Sequence, residues 1–217
     1  MLNYSAIVTG PLAENCYLLW RDSACWIIDP GSDPEVILEE IAQRGLTPAA
    51  ILLTHGHFDH VGALDALLKQ FPELPVIMRP EDARWSFTHP ANQYPPFYFH
   101  QQRPATLVEY EEATYSAGGL TATLIPCPGH TPGGQVILVE DADLPAPLCF
   151  TGDTIFRGAI GRTDLPGGNF AQMQQTLANL KTSLAPATTL LPGHEASTTL
   201  EHELRTNPYL QDEYPID

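Results

Sequence analysis

Basic residues are scarce in this sequence. Its 217 residues include 10 Lys and Arg against 26 Asp and Glu, which gives a formal net charge of -16 at pH 7. A protein that binds nucleic acid needs clustered Lys and Arg to neutralise phosphates, and a strongly negative field repels polyanions. The composition therefore argues against a nucleic-acid partner.

Cysteine is also sparse, and its four positions are widely spaced: Cys16, Cys25, Cys127 and Cys149. They form no Cys-x-x-Cys pair, so neither a disulfide framework nor a thiolate zinc site is indicated. This usage fits a reducing compartment, and we expect a cytoplasmic protein. A disulfide across a hairpin, between Cys16 and Cys25, is the alternative.

Long apolar runs are missing as well. No run approaches the ~18 residues that indicate a membrane span, and the first residues lack a basic segment followed by an apolar stretch. We therefore expect no membrane partner. Because 43% of the residues are hydrophobic, the chain can bury one substantial core, and residues 1–217 are predicted to form a single domain.

Short apolar runs separated by turn residues and by amphipathic segments predict the secondary structure. Strands are predicted at residues 7–8, 16–20, 24–28, 49–53, 76–78, 120–125, 135–139, 148–150 and 189–191. Helices are predicted at residues 34–44, 61–71 and 170–184. Alternating strands and helices indicate sheets covered by helices, and two such halves predict an α/β protein built as a four-layer α/β/β/α sandwich.

Residues 85–103 follow no helical or strand period and are rich in aromatic residues and proline. Two interpretations are open for this segment. It forms a wall or lid of a substrate pocket, or it is a surface excursion or a contact between subunits. The oligomeric state is open too.

A dense group of potential metal ligands follows the buried strand at residues 49–53, in the run His55-Gly56-His57-Phe58-Asp59-His60. Folding alone does not require this density, because crowded imidazoles and a carboxylate are costly without a cation. His55 and His57 can converge on one ion if the turn curls around it, while Asp59 and His60 point to a neighbouring position. Two adjacent ions are therefore predicted.

Three more potential ligands each follow a predicted strand. His130 ends the run Pro126-Cys127-Pro128-Gly129-His130, Asp153 ends Thr151-Gly152-Asp153, and His194 ends Leu191-Pro192-Gly193-His194. With these motifs the sequence resembles the metallo-β-lactamase superfamily over residues 52–194. The resemblance implies a first metal held by His55, His57 and His130, a second held by Asp59, His60 and His194, and Asp153 as a bridge.

The same resemblance implies a hydrolase that acts on a small molecule through a hydroxide bridging two divalent metal ions. Zinc is favoured, and iron and manganese suit the same ligands. Asp59 is the predicted catalytic residue, since it both binds a metal and orients the nucleophile.

Residues 152–162 and 207–211 are similar to the glyoxalase II group, the hydroxyacylglutathione hydrolases, and most of all to the short bacterial members. This similarity implies a thioester substrate such as S-lactoylglutathione, with Arg162 gripping a glutathione carboxylate. An ion pair with Asp164 is the alternative for Arg162. Asp164 and Ala196 stand where the group has tyrosines, Gly134 stands where many relatives have a histidine, and no separate C-terminal helical domain is expected.

Other functions remain open at this stage. A persulfide dioxygenase of the same fold would hold a single iron at His55, His130 and Asp153. Another hydrolase of the fold, such as a lactonase, is a further alternative. A non-enzymatic metal protein would bind a partner through the aromatic segment and would have closed coordination.

Overall fold

The protein was analysed as a computed structural model, which describes residues 1–87 and 102–211. The helices are Pro34–Gln43 (α1), Phe58–Val61 (α2), Leu64–Gln70 (α3), Pro80–Trp85 (α4), Phe170–Ser183 (α5) and Leu200–Thr206 (α6). The strands are Leu2–Thr9 (β1), Glu14–Arg21 (β2), Ala24–Ile28 (β3), Thr47–Leu52 (β4), Val76–Met78 (β5), Leu107–Glu109 (β6), Thr114–Ala117 (β7), Leu120–Pro126 (β8), Gln135–Val139 (β9), Leu148–Gly152 (β10), Ile155–Phe156 (β11), Ala159–Ile160 (β12), Thr189–Pro192 (β13) and Thr198–Thr199 (β14). A 3₁₀ turn follows at Pro208–Leu210.

Two six-stranded sheets carry the fold. The first has the order β1-β2-β3-β4-β5-β6, and the second has the order β14-β13-β10-β9-β8-β7. In the first sheet β1, β2 and β3 pair antiparallel, whereas β3, β4, β5 and β6 run parallel. Parallel neighbours require crossovers, and α1 and α3 provide two of them.

The side-chain alternation of the central strands explains the layers. In β3, Cys25 and Ile27 pack into a core that includes residues of α1 and α3, while Trp26 and Ile28 pack into a core shared by the two sheets. In β10, Cys149 faces the core under α5, while Phe150 faces the shared core. Successive strand residues point to opposite faces, so both sheets are buried on two sides. The predicted α/β/β/α sandwich is confirmed.

The predicted helix at residues 61–71 needs correction, because the chain forms two helices there. α2 ends at Val61 and α3 begins at Leu64. The amide of Ala63 donates to the carbonyl of Gly31 at 2.7 Å, a long-range contact that accompanies the break. The sequence analysis also missed α4, α6 and the short strands β6, β7, β11, β12 and β14.

The cysteines and the aromatic segment have different outcomes. All four cysteines are buried free thiols, so the disulfide between Cys16 and Cys25 does not form. Most of the aromatic segment, residues 88–101, lies outside the described residues. Within the described part of the chain, no helix has the length and apolar character needed to cross a bilayer.

Candidate metal centre

The seven predicted ligands come together at one edge of the sandwich. They lie on the segments that directly follow the carboxyl ends of β4, β8, β10 and β13. His57 precedes α2, and the short helix then carries Asp59 and His60. The amide of Asn15 donates to the carbonyl of Gly193 at 2.7 Å, which ties the segment before His194 to β2. Glycine at position 193 also leaves room for the ring of His60, because a Cβ there would lie 2.5 Å from Cε1 of His60.

Three groups of three side chains have the spacing of metal sites, and two of them consist only of predicted ligands; the third is Asp29, His55 and His60. We call His55, His57 and His130 the first cluster, and Asp59, His60 and His194 the second cluster. In each cluster the potential ligand atoms all lie within 4.8 Å of one another. This spacing allows three donors to converge on one cation.

Asp153 lies between the two clusters. Its Oδ2 is 3.5 Å from Nε2 of His130 in the first cluster. Its Oδ1 is 3.3 Å from Nε2 of His60 and 3.7 Å from Nε2 of His194 in the second cluster. One carboxylate thus presents a different oxygen to each cluster.

Hydrogen bonds behind His55 and His60 orient both rings. Nδ1 of His60 is 3.0 Å from Oδ2 of Asp29, and Nδ1 of His55 is 3.0 Å from Oγ1 of Thr54. Oγ1 of Thr54 donates in turn to Oδ2 of Asp29 at 2.5 Å. Because each Nδ1 is engaged in this way, Nε2 is the nitrogen left to face the clusters.

The rings of His130 and His194 are held by backbone carbonyls. Nδ1 of His130 lies 2.7 Å from the carbonyl oxygen of Arg162. Nδ1 of His194 lies 3.1 Å from the carbonyl oxygen of Leu12. An Nδ1–H donated to an oxygen fixes the tautomer in which Nε2 has a free lone pair.

Several polar atoms of the clusters are buried without a hydrogen-bond partner. They are Nε2 of His55, Nε2 of His60, Nε2 of His130 and Oδ1 of Asp153. A buried polar atom without a partner is costly, and these four are lone-pair donors that face one another. The donor set therefore fits divalent cations.

The pKa shifts of His55, His57 and Asp153 agree with a cation site. Burial, with the nearby His60, lowers the pKa of His55 well below its ordinary value, and burial and His130 lower the pKa of His57 to about 3. Burial alone would raise the pKa of Asp153, but His60 facing it lowers that pKa. Neutral imidazoles and an ionised carboxylate are the protonation states that a metal requires.

The pKa of His60 shifts in the opposite direction, and so does the pKa of His194, which burial would lower but the hydrogen bond with Asp59 raises. Burial opposes the charging of His60, but the facing carboxylates of Asp153 and Asp59 raise the pKa of His60 well above its ordinary value. A bound cation would take the place of this proton between the carboxylates.

Comparison with known proteins decides the family. A family model described as the metallo-beta-lactamase superfamily matches residues 9–194. The chain belongs to the metallo-β-lactamase superfamily. It is 34% identical over 211 residues to the probable metallo-hydrolase YqgX of Bacillus subtilis, a match that covers 96% of this chain and 98% of that protein. It is 32% identical over 216 residues to the hydroxyacylglutathione hydrolase GloC of Haemophilus influenzae, with the same coverage of 96% and 98%.

Solved structures of the superfamily agree with this fold. The BLEG-1 B3 metallo-beta-lactamase aligns with a TM-score of 0.87 at 33% identity, over 96% of this chain and 99% of its own. TTHA1623 in a di-iron-bound form aligns with a TM-score of 0.83 at 36% identity, over 95% of this chain and 100% of its own. These names differ in activity, so likeness within the superfamily does not fix the substrate.

Arg162, the predicted substrate contact, lies at the surface beside the centre. Its Nε and Nη2 donate to the two carboxylate oxygens of Asp164 at 2.7 and 2.8 Å. The hydrogen bond from Arg162 lowers the pKa of Asp164 to about 2. The ion pair that the sequence offers as an alternative therefore forms, and both side chains are more than half exposed. A substrate carboxylate would have to compete with Asp164 for the guanidinium.

Packing favours glycine at position 134 in this chain. A Cβ at Gly134 would lie 2.7 Å from the carbonyl oxygen of Cys127. The amide of Cys127 donates to the carbonyl of Gly134 at 2.6 Å, which holds the two backbones together. Cys127 itself is buried, and burial raises the pKa of its thiol to about 12. Its thiol is therefore protonated at neutral pH.

Asp29 is a candidate positioning residue that the sequence analysis missed. It is buried, and it also accepts the amide of Thr54 at 2.7 Å. In the sequence it opens the turn Asp29-Pro30-Gly31 directly after β3, and in the structure it has a positive φ of 48°.

We predict that Asp29→Asn weakens metal binding about 10- to 100-fold, because partners that orient ligand imidazoles typically contribute that much. Metal affinity measured by chelator competition checks this. Asp22→Asn is the matched control, since Asp22 is exposed and also has a positive φ, of 53°. Equal affinities in the two variants would contradict the role of Asp29.

Proposed function

We propose that the protein is a binuclear metal-dependent hydrolase that cleaves a small thioester. The observation that supports this best is the position of Asp153, whose two oxygens face different clusters. A carboxylate in this position could offer one oxygen to a cation in each cluster, as two-metal hydrolytic sites require. A single-metal site has no need for the second cluster.

The first cluster, the second cluster and Asp153 together would hold two divalent ions, for which we propose zinc. Two such ions, when bound, lower the pKa of a shared water and polarise a carbonyl oxygen. Imidazole and carboxylate donors suit iron and manganese as well, and TTHA1623 is a relative with a di-iron-bound form.

Asp59 is the proposed catalytic residue. Its Oδ2 lies 3.3 Å from Nε2 of His194, and the carboxylate is mostly buried. Burial would raise its pKa, but His60 and the hydrogen bond with His194 lower it, so Asp59 is ionised at neutral pH. An ionised carboxylate here can accept a hydrogen bond from the attacking water and orient it.

The proton demand of the leaving group favours a thioester over an ester as the substrate. The two carboxyl groups of the centre, Asp59 and Asp153, have lowered pKa values, so neither holds a proton for a leaving group at neutral pH. A thiolate, whose conjugate acid has a pKa of about 8.5, departs without such an acid. The likeness to a hydroxyacylglutathione hydrolase supports S-lactoylglutathione as the first substrate to test. We also propose a cytoplasmic location, which the four free thiols support.

One sample of purified protein tests the proposal through metal content, thioester hydrolysis and oxygen consumption. We expect two metal equivalents per chain, hydrolysis of S-lactoylglutathione or another acyl thioester, and no oxygen uptake. One equivalent of iron with oxygen uptake on a persulfide would replace the hydrolase with the dioxygenase. Hydrolysis confined to lactones would keep the metal chemistry and overturn the thioester.

Arg162→Ala is predicted to reduce kcat/KM for S-lactoylglutathione about 5- to 150-fold, which corresponds to about 1–3 kcal/mol for a lost charged hydrogen bond. The loss should be mostly in KM, because the contact to a glutathione carboxylate is the same in the ground and transition states. The measurement compares this substrate with a neutral thioester, whose hydrolysis should not change.

Arg157→Ala is the matched control for this prediction, since it removes the same charge from an exposed position in the turn between β11 and β12. An equal loss on both thioesters in Arg162→Ala would mean that Arg162 acts through its pair with Asp164 and does not bind substrate.

A further inference from the structure

Asp82 is a buried carboxylate outside the two clusters. It lies on α4 with none of its surface exposed. Its Oδ2 accepts the amide of Gly56 at 2.9 Å and the hydroxyl of Thr131 at 2.8 Å. Its Oδ1 accepts the amide of Gly133 at 2.6 Å.

These three donors belong to the two segments that carry the first cluster. Gly56 stands between His55 and His57, and Thr131 directly follows His130. One carboxylate is therefore bonded to both sides of the cluster. α4 makes a further contact there, because the ring of Trp85 lies 5.4 Å from the ring of His57 at an angle of 72°.

A carboxylate suits this position better than an amide. All three partners are donors, and an ionised carboxylate accepts at both oxygens. An asparagine has one acceptor oxygen, so its NH₂ group would face either the amide of Gly133 or the pair formed by Gly56 and Thr131. Two donors would then face each other in a buried place, which leaves at least one of them without a partner.

We propose that Asp82 is a positioning residue, which holds the His55–His57 turn and the His130 segment at the separation that the first metal requires. This inference rests on the proposed function, because it takes the first cluster as a metal site. It assigns to Asp82 no contact with the metal or the substrate.

Co²⁺ titration tests the proposal without any substrate. The titration uses apoprotein carrying Asp59→Ala, in which the second cluster has lost its carboxylate, so that the visible absorption of one bound equivalent reports on the first cluster. Adding Asp82→Asn should weaken this equivalent about 10- to 100-fold, as for other partners that orient metal ligands. Adding Glu81→Gln should not, since Glu81 is the neighbouring acid on α4, partly exposed and paired with Arg79.

An unchanged Co²⁺ affinity in a folded Asp82→Asn variant would overturn the inference. If that variant does not fold by circular dichroism, Thr131→Val decides, because it removes one of the three hydrogen bonds and keeps the carboxylate. We expect a severalfold weaker first site in Thr131→Val, and an unchanged affinity would again overturn the inference. Failure of the proposed binuclear site looks different, because wild-type protein would then not bind two Co²⁺ ions. Failure of the thioester assignment alone would leave the Co²⁺ titrations unchanged.

Discussion

Asp153→Ala is expected to remove most of the hydrolytic activity and to lower the metal content of the protein below two equivalents. The reason is geometric, because Asp153 is the one side chain among the described ligands whose two oxygens each face a different cluster. Polarisation by metal ions contributes several kcal/mol to such reactions, so we expect kcat to fall about 10²- to 10⁴-fold. Turnover and metal content are measured on the same preparation.

Asp143→Ala serves as the control for this variant, since Asp143 is a surface acid that pairs with the N-terminal amine. Its removal changes the net charge by the same amount and leaves both clusters intact. Asp153→Ala with two tightly bound metals and unchanged turnover would show that the bridge is misassigned. If circular dichroism shows that Asp153→Ala does not fold, turnover and metal content are measured on Asp153→Asn instead.

The clustering of the seven candidate ligands was predictable because its signal is local. Each ligand follows a strand within a few residues, and strand ends can be recognised from short apolar runs such as the one that ends at Leu52. The layers were predictable for a similar reason, since the alternation in β2 and β3 assigns each residue to one face. Both signals lie within a few residues of sequence.

The parts that were missed depend on contacts between distant residues. Asp29 acts through the ring nitrogen of His60, which is 31 positions away. The break between α2 and α3 involves an amide of Ala63 that donates to Gly31. α4 has only six residues. Nothing in its own sequence indicates that Asp82 accepts hydrogen bonds from the amides of Gly56 and Gly133, which belong to two distant segments of the chain. Propensity and periodicity carry no information on such partners.

Substrate choice is less predictable than the metal centre for a physical reason. The ligands must satisfy one fixed geometry, whereas substrate contacts are single exposed side chains on loops. Arg162 illustrates this, because its spacing to Asp164 allows an ion pair that the structure contains, and the same guanidinium can still bind a carboxylate. Kinetic comparison of substrates therefore tests this contact directly.

Asp59→Ala is expected to leave the fold intact, to keep one metal at the first cluster and to reduce thioester hydrolysis about 10²- to 10⁴-fold. The substitution removes a ligand from the second cluster together with the carboxylate that orients the attacking water. Asp59 lies on the short helix α2, and its closest imidazole partner is His194 of the second cluster, at 3.3 Å.

The same variant separates the hydrolase from the single-iron dioxygenase, which would use His55, His130 and Asp153 and would not need Asp59. Metal content, thioester hydrolysis and oxygen uptake on a persulfide are therefore measured together for wild type, Asp59→Ala and Asp65→Ala, the last removing an acid from the first turn of α3. The binuclear reaction is supported if Asp59→Ala loses thioester hydrolysis and Asp65→Ala keeps it. Oxygen uptake that persists undiminished in Asp59→Ala would instead assign the protein to single-iron chemistry, because only the second cluster depends on that carboxylate.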